Sequence, residues 1–194
     1  MPVITFNDTW MIYNTFLALI AVVLGYLTIQ IQNRFLKAVV GLLWFIFLPN
    51  TIYIFTDLVH LIEQWKYIQH SFRSVLILQY TIYEIVGVIT FIMAFIPFEH
   101  IVKASKSLKK NKTQAYIIFN FIIAFGLVLG RVERINSWEI FTNPQNVFLS
   151  AIDVITSIQL LGLTLLFGLV CNFIYFLIRN PFQAYKKKVL HLLD

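Results

Sequence analysis

The sequence predicts an all-α protein, a polytopic transmembrane helical bundle of about five spans. Three observations carry that prediction. Of 194 residues, 59% are hydrophobic and only 12% charged, where an ordinary soluble domain carries about 25% charged residues. Too little polar surface remains to coat a soluble globule, so lipid must be the solvent for most of the chain. Apolar stretches long enough to cross a bilayer recur at 10–31, 38–56, 75–98, 115–130 and 155–178. The basic residues then gather in alternate connecting segments, and this bias orients inserted helices.

Each element follows from local signals. Span one opens with Trp10 and Tyr13, rings suited to a membrane interface. Span two is interrupted by Pro49-Asn50, where proline removes a donor and clashes one turn back, so the helix is predicted to bend or break. From Asp57 to Arg73, Leu58, Leu61, Ile62, Trp65 and Phe72 recur at helical spacing among Asp57, His60, Gln64 and Lys66. That pattern predicts an interfacial amphipathic helix. Its charges and two histidines argue against a sixth crossing. Span three carries Glu84, and a Lys-rich hinge at 103–112 separates the two halves of the chain. Span four ends at Gly130, before a polar segment at 131–143. Span five begins near Pro144, with Asn143 as N-cap and Pro144 in the first turn, and is apolar throughout from Ile155. No internal repeat is evident, and 1–194 reads as a single integral membrane domain.

Composition also narrows the partners. The net charge of +6 comes from Lys clusters that flank apolar spans. Loops beside anionic lipid account for them, and no basic domain stands apart to bind nucleic acid. Membrane lipid is the expected surrounding partner. Cys171 is the single cysteine, so neither an intrachain disulfide nor a Cys-rich metal site is expected. The first nine residues carry no Lys or Arg, so the basic region of a cleavable signal peptide is missing and span one is expected to stay. No lipidation signal is evident.

Eleven of the fifteen basic residues lie in 32–37, 99–114 and 179–194: Arg34, Lys37, Lys103, Lys106, Lys109, Lys110, Lys112, Arg179, Lys186, Lys187 and Lys188. The intervening segments hold Lys66, Arg73, Arg131 and Arg134. The positive-inside rule then predicts a multi-pass protein of the cell membrane with its N-terminus outside and its C-terminus in the cytoplasm.

This orientation brings the polar residues toward one face. Asn50 lies in the outer half of span two, with Tyr53, Asp57 and His60 beyond it. Glu84 lies about 15 Å below the outer end of span three at 1.5 Å per residue. Arg131 and Arg134 emerge at the same side, followed by Asn136 and Glu139, and Asp153 opens span five there. A polar pocket in the outer leaflet is expected. Within it Asp57 and His60, three apart, would share a helix face. They fit an acid–base pair or half of a metal site, and equally the capped end of a span in headgroup water. No second paired-His motif accompanies them, so no metal and no cofactor is assigned. Glu84 is costly in a span and marks either a functional site or an ion pair with Arg131 or Arg134. The two arginines suit a phosphate or carboxylate, or interfacial snorkelling. Asn136 and Glu139 fit a capping box. Asn50 would either satisfy carbonyls freed by Pro49 or touch a ligand.

Two segments carry a resemblance. One is Phe47-Leu48-Pro49-Asn50-Thr51-Ile52-Tyr53 with Thr56-Asp57-Leu58-Val59-His60-Leu61; the other runs Gly130-Arg131-Val132-Glu133-Arg134-Ile135-Asn136-Ser137-Trp138-Glu139. They resemble the signature segments of an uncharacterised family of bacterial integral membrane proteins, domain of unknown function 1361. The first matches a Leu-Pro-Asn, Tyr, Thr-Asp-Leu, His-Leu pattern. The second matches Gly-Arg, Arg, Asn-Ser-Trp and an acid, with Glu139 standing where Asp is more usual. The resemblance covers most of the chain in size and span pattern and rests on those two segments. It implies a membrane fold of the bacterial inner membrane and no established chemistry.

Three functions therefore stay open. An enzyme of the outer leaflet would act on an anionic lipid or lipid-linked cell-envelope substrate, with His60 as acid or base, Asp57 orienting it, and Arg131 and Arg134 holding the headgroup. Asn50, Tyr53, Glu84, Asn136 and Glu139 would complete the binding site. A transporter or channel would run past Glu84 and Asn50 beside the broken span. A non-catalytic subunit would bind a protein partner in an envelope complex. Against the enzyme stands the lack of a Ser or Cys nucleophile in a recognisable setting; against the transporter stand the apolar inner halves of the spans.

Overall fold

The computed structural model describes residues 2–190, with side chains for 7–179. Lys186, Lys187 and Lys188, counted above with the basic end, lie outside the described side chains. Among the described residues the chain is helical throughout, with no strand: α1 (Pro2–Gln30), α2 (Arg34–Phe47), α3 (Asn50–Thr56), α4 (Leu58–Trp65), α5 (Arg73–Ala104), α6 (Lys106–Lys110), α7 (Lys112–Arg131), α8 (Glu139–Thr142), α9 (Pro144–Thr156) and α10 (Ile158–Leu190). Five segments are long and apolar enough to cross a membrane: Asn7–Gln30, Arg34–Trp65, His70–Ala104, Lys112–Arg131 and Ile158–Arg179. The protein is an all-α multi-pass membrane bundle.

The second span is broken at its proline. The last α-type bond before the break runs from the Leu48 N–H to the Trp44 carbonyl at 2.9 Å. The Thr51 and Ile52 N–H groups then reach back only three residues, to Leu48 and Pro49. The Phe47 carbonyl, left over by this shift, accepts from Asn50 Nδ2 at 2.9 Å. Asn50 thus satisfies what Pro49 frees. A second interruption falls at Asp57, whose N–H bonds the Ile54 carbonyl three residues back.

Two expected boundaries are corrected. The amphipathic helix expected over Asp57 to Arg73 is only α4, Leu58–Trp65, followed by a turn and a short 3-10 segment, His70–Phe72. Its Leu61 packs beside Met11 and Tyr80, while His60 and Glu63 are exposed. The fifth span does not run on from Pro144. Ser157 is extended, with φ −82° and ψ 117°, and separates α9 from α10. Asn143 does cap α9, its side chain accepting from the Asn146 N–H, with Pro144 in the first turn.

In lipid there is no hydrophobic drive between helices, so close packing and hydrogen bonds must hold them. Helix α1 packs on α2, α3 and α5, and α10 on α7; α3 bridges to α7, and α10 reaches α5. The core is largely aromatic. Phe98 and Phe119 stack with ring centroids 3.7 Å apart, and Phe95 lies 4.3 Å from Tyr175 and 5.4 Å from Phe119. Trp44 donates its indole N–H to the Ala94 carbonyl at 2.8 Å, one turn before Pro97 in α5. The α3–α7 contact depends on absent side chains: a Cβ at Gly126 would lie 2.5 Å from Pro49, and one at Gly130 would overlap the Tyr53 hydroxyl.

Candidate functional site

The polar residues gather at the end of the bundle where α5 begins and α7 ends. Asp57 is at their centre and has no exposed surface. Its Oδ2 accepts from Asn14 Nδ2 of α1 at 2.9 Å and from the Tyr83 hydroxyl of α5 at 2.7 Å. Its Oδ1 pairs with Arg131 Nη2 at the last residue of α7. Arg131 also donates from Nε to Thr56 Oγ1 at 2.9 Å, and its guanidinium lies 5.9 Å from the Tyr53 ring centroid. One carboxylate therefore ties α1, the α3–α4 joint, α5 and α7 together. Removing water from such a pair is costly, and hydrogen bonds to the remaining lone pairs offset that cost.

An amide network continues it outward. Asn7 and Gln64 exchange two hydrogen bonds of 2.8 Å, and the Trp10 indole donates to Asn7 Oδ1 at 3.3 Å. Asn7 also donates to Gln79, which donates to Asp8 at 2.7 Å. These contacts dock α4 onto α1 and α5. Asn7, Asn14, Gln79 and Tyr83 are additions to the site that the sequence does not single out.

The acid–base pair is not assembled. No hydrogen bond joins the side chains of Asp57 and His60. Asp57, at the junction between α3 and α4, is buried with both oxygens engaged by Asn14, Tyr83 and Arg131. His60 is exposed; its Nδ1 lies 3.4 Å from Glu63 Oε2, and its ring meets Trp10 edge-on at 5.5 Å. Glu84 does not pair with Arg131 or Arg134 either. Tyr83 is the residue of α5 that turns into the bundle, and its neighbour points about 100° away. Glu84 is half-buried, with Oε1 covered and without a hydrogen-bond partner. It borders an apolar groove with Leu61, Tyr80, Ile85 and Val88.

Arg134 also stands apart from Arg131. Helix α7 ends at Arg131, and Arg134 adopts φ 57°, the left-handed conformation, on an exposed turn. Beyond it, Glu139 Oε1 accepts from the Asn136 backbone N–H and from Asn136 Nδ2, both at 2.8 Å. This is half of the expected capping box. The two donors hold the Glu139 carboxyl below the usual carboxylate range. Asp153 is exposed on α9 and does not join the cluster.

The two segments meet in another way. Asn50 Nδ2 lies 3.3 Å from Ser137 Oγ, which reaches the Ile46 carbonyl at 3.5 Å. Beside this tie lies a cavity of about 200 Å³. Pro49 and Tyr53 form one wall, Gly126 and Gly130 another, and Ile135 and Ile140 a third. Asn136 and Ser137 contribute its polar rim. The Tyr53 hydroxyl, at the Gly130 contact, forms no hydrogen bond within the described residues.

A family model described as "Protein of unknown function (DUF1361)" matches residues 13–174. The chain belongs to DUF1361. The match includes Asn14, Asp57, Tyr83 and Arg131, and all three walls of the cavity. No curated protein and no solved structure matches this DUF1361 chain.

A second polar centre of this DUF1361 member lies at the Lys-rich end, where the sequence gives no sign of a buried charge. Glu99 is 1% exposed. Arg179 holds it bidentately at 2.6 and 2.8 Å, Tyr175 donates to it at 2.9 Å, and Lys103 lies 3.8 Å away. Its position beside the Lys-rich hinge gives it the look of an ordinary loop acid.

Proposed function

We propose that the protein is a non-catalytic lipid-binding protein of the bacterial inner membrane, with its site at the extracytoplasmic end. The ligand would be an anionic lipid or a lipid-linked envelope substrate. Its apolar chain would enter the cavity between α3, α7 and the 135–140 segment, near the Asn136–Ser137 rim. The observation that carries this reading is the cavity itself. Both segments of family resemblance wall it, and Tyr53, whose hydroxyl makes no hydrogen bond among the described residues, is part of that wall. Exposed Arg134, one residue before the lining, would meet the headgroup. The charge bias supports the orientation. Catalysis is not favoured, because Asp57 is engaged by Asn14, Tyr83 and Arg131 rather than by His60.

The test is photo-crosslinking of the full chain in nanodiscs with a phosphatidylglycerol that bears a diazirine on its acyl chain. Adducts should concentrate on peptides containing Tyr53, Ile140 and Val147, and Ile140→Trp, which fills the cavity, should remove them. Even labelling of all lipid-facing helices, unchanged by Ile140→Trp, would refute the reading.

A second reading, a subunit that binds a partner helix, is favoured by Glu84. Its unpartnered Oε1 beside an apolar groove would suit a donor carried by another transmembrane helix.

A further inference from the structure

We infer that a second, independent lipid site lies at the Lys-rich end of the bundle, where Lys37 and His100 hold the phosphate of an anionic phospholipid. A groove of about 500 Å³ runs there between α1, α2 and α5. This is within the range of small-molecule sites. Its floor is apolar, made by Trp44, Pro97 and Ile101, with Gly41 in its wall. Two side chains at it carry uncommitted donors, Lys37 from α2 and His100 from α5, and both are exposed.

The other polar groups of the groove are occupied. The Trp44 indole N–H is bound by the Ala94 carbonyl, and the Thr28 hydroxyl donates to the Leu24 carbonyl at 2.9 Å. Among the described residues no carboxylate lines the groove. Glu99, next to His100 in sequence, is buried against Tyr175 and Arg179 toward α10. The groove therefore offers positive charge and an N–H donor above a hydrocarbon-lined trough. That combination complements a phosphodiester joined to an acyl chain. Basic pockets between transmembrane helices bind anionic headgroups on the same terms.

The shape depends on small residues. A Cβ at Gly41 would meet Thr28 at 3.5 Å, so alanine fits there while a longer side chain projects into the trough. At Gly25 a Cβ would meet Trp44 and Pro97 at 2.9 Å. That close approach sets α1 against Trp44 and Pro97, which form the floor.

The experiment uses the full chain, delipidated in mild detergent and titrated with phosphatidylglycerol, phosphatidylcholine or glycerol phosphate. Bound lipid is counted by native mass spectrometry, and protection is read by thermal unfolding. Phosphatidylglycerol should bind and protect; phosphatidylcholine and glycerol phosphate should not. Lys37→Gln with His100→Gln should weaken phosphatidylglycerol by about fivefold per donor removed. Arg34→Gln with Lys112→Gln, basic residues outside the groove, should leave it unchanged. Gly41→Leu should remove the same bound phosphatidylglycerol as the Lys37 and His100 pair, with both donors intact, and leave lipid at the separate α3–α7 cavity in place. If Gly41→Leu fails to fold, the Lys37 and His100 pair decides alone. Equal loss in the Arg34 and Lys112 variant would reduce the effect to general charge attraction and overturn the site. Equal binding of glycerol phosphate would make it a phosphate site and overturn the lipid assignment.

Discussion

Arg131 ends α7 with its guanidinium on the carboxylate of Asp57, at the joint where α3 passes into α4. The two residues come from the two segments of family resemblance, far apart in the chain. Their pairing fixes how the broken second span meets the fourth. Asn14 and Tyr83 supply the remaining bonds to Asp57, so the pair is a four-way tie in the bundle.

Breaking that tie should be costly. Arg131→Met leaves a buried carboxylate without its cation, and such losses run to about 3–5 kcal/mol. Adding Asp57→Asn removes the stranded charge while keeping a group for Asn14 and Tyr83, so the double variant should recover part of the loss. Thermal unfolding of Arg131→Met, Asp57→Asn and the double variant in detergent reads the cycle. His60→Ala, on an exposed side chain, should stay within about 0.5 kcal/mol of the parent. An Arg131→Met protein as stable as the parent would show that the pair is not structural.

The α3–α7 contact makes a second prediction. Gly130→Ala places a methyl where the Tyr53 hydroxyl lies, and overpacking of this kind costs about 1–3 kcal/mol. Tyr53→Leu clears the hydroxyl and ring end, so Gly130→Ala with Tyr53→Leu should be less destabilised than Gly130→Ala alone. Protease resistance in detergent micelles would rank them. Additive losses would mean that Tyr53 is not what occupies the space.

Much of this architecture is legible in the sequence, and the misses have physical causes. Asp57 and Arg131 stand out because ionisable groups are rare in apolar runs. The break at Pro49 and the role of Asn50 follow from one missing N–H. Glu84 draws attention ahead of Tyr83, because which of two adjacent residues faces inward depends on the rotation of α5 about its axis. That rotation is set by packing, and α5 is apolar around most of its circumference. Asn14 is hidden for the same reason in α1. Gly126 and Gly130, four residues apart in an apolar span, are a visible signal of close helix approach and point to Pro49 and Tyr53 once the neighbouring helix is known. The end of span four at Gly130 is readable to within a residue of the helix end at Arg131, but the left-handed turn at Arg134 is not, since nothing in Val132-Glu133-Arg134 signals it.

Arg134 makes a third prediction. A side chain in the left-handed region costs about 1–2 kcal/mol, and glycine at this position would remove that cost while adding freedom to the unfolded chain. Arg134→Gly should therefore raise stability by about 0.5–1 kcal/mol, seen as a higher unfolding midpoint. If the Arg134 side chain holds an anionic headgroup, the same variant should lose its preference for anionic lipid. A fall in stability in lipid-free detergent would indicate a folding contact of Arg134.

Glu139 sets the response of the 136–142 turn to acid. Its folded carboxyl is held low by the Asn136 donors, so the folded turn favours the ionised form. The stabilisation is present above the ordinary carboxylate pKa and is lost as pH falls through the lowered folded value. Hydrogen exchange of the Asn136 amide, corrected for intrinsic rate, should accelerate on acidification through that range. Glu139→Gln should remove the pH dependence. A parent profile as flat as that of the variant would disconnect the carboxylate from the turn.

The last prediction concerns sidedness. Eleven of the fifteen basic residues lie in segments that alternate with those holding Arg131 and Arg134, and Lys and Arg resist translocation in short loops. Five crossings put the first and last segments on opposite sides. Single cysteines at Ser107, in the Lys-rich α6, and at Ser137, beside the cavity, should then react from opposite faces of the membrane in a Cys171→Ser background. Cys171 is buried, so its removal should add little background of its own. An impermeant maleimide applied to spheroplasts should label position 137 and spare 107; inverted vesicles should give the reverse. The reverse pattern in both preparations would keep the five-span fold and move the cavity to the cytoplasmic leaflet. Labelling of both positions from one side would require an even number of crossings between Ser107 and Ser137. Helix α7 is the single candidate span in that interval, so that outcome would remove α7 as a crossing and the extracytoplasmic site with it.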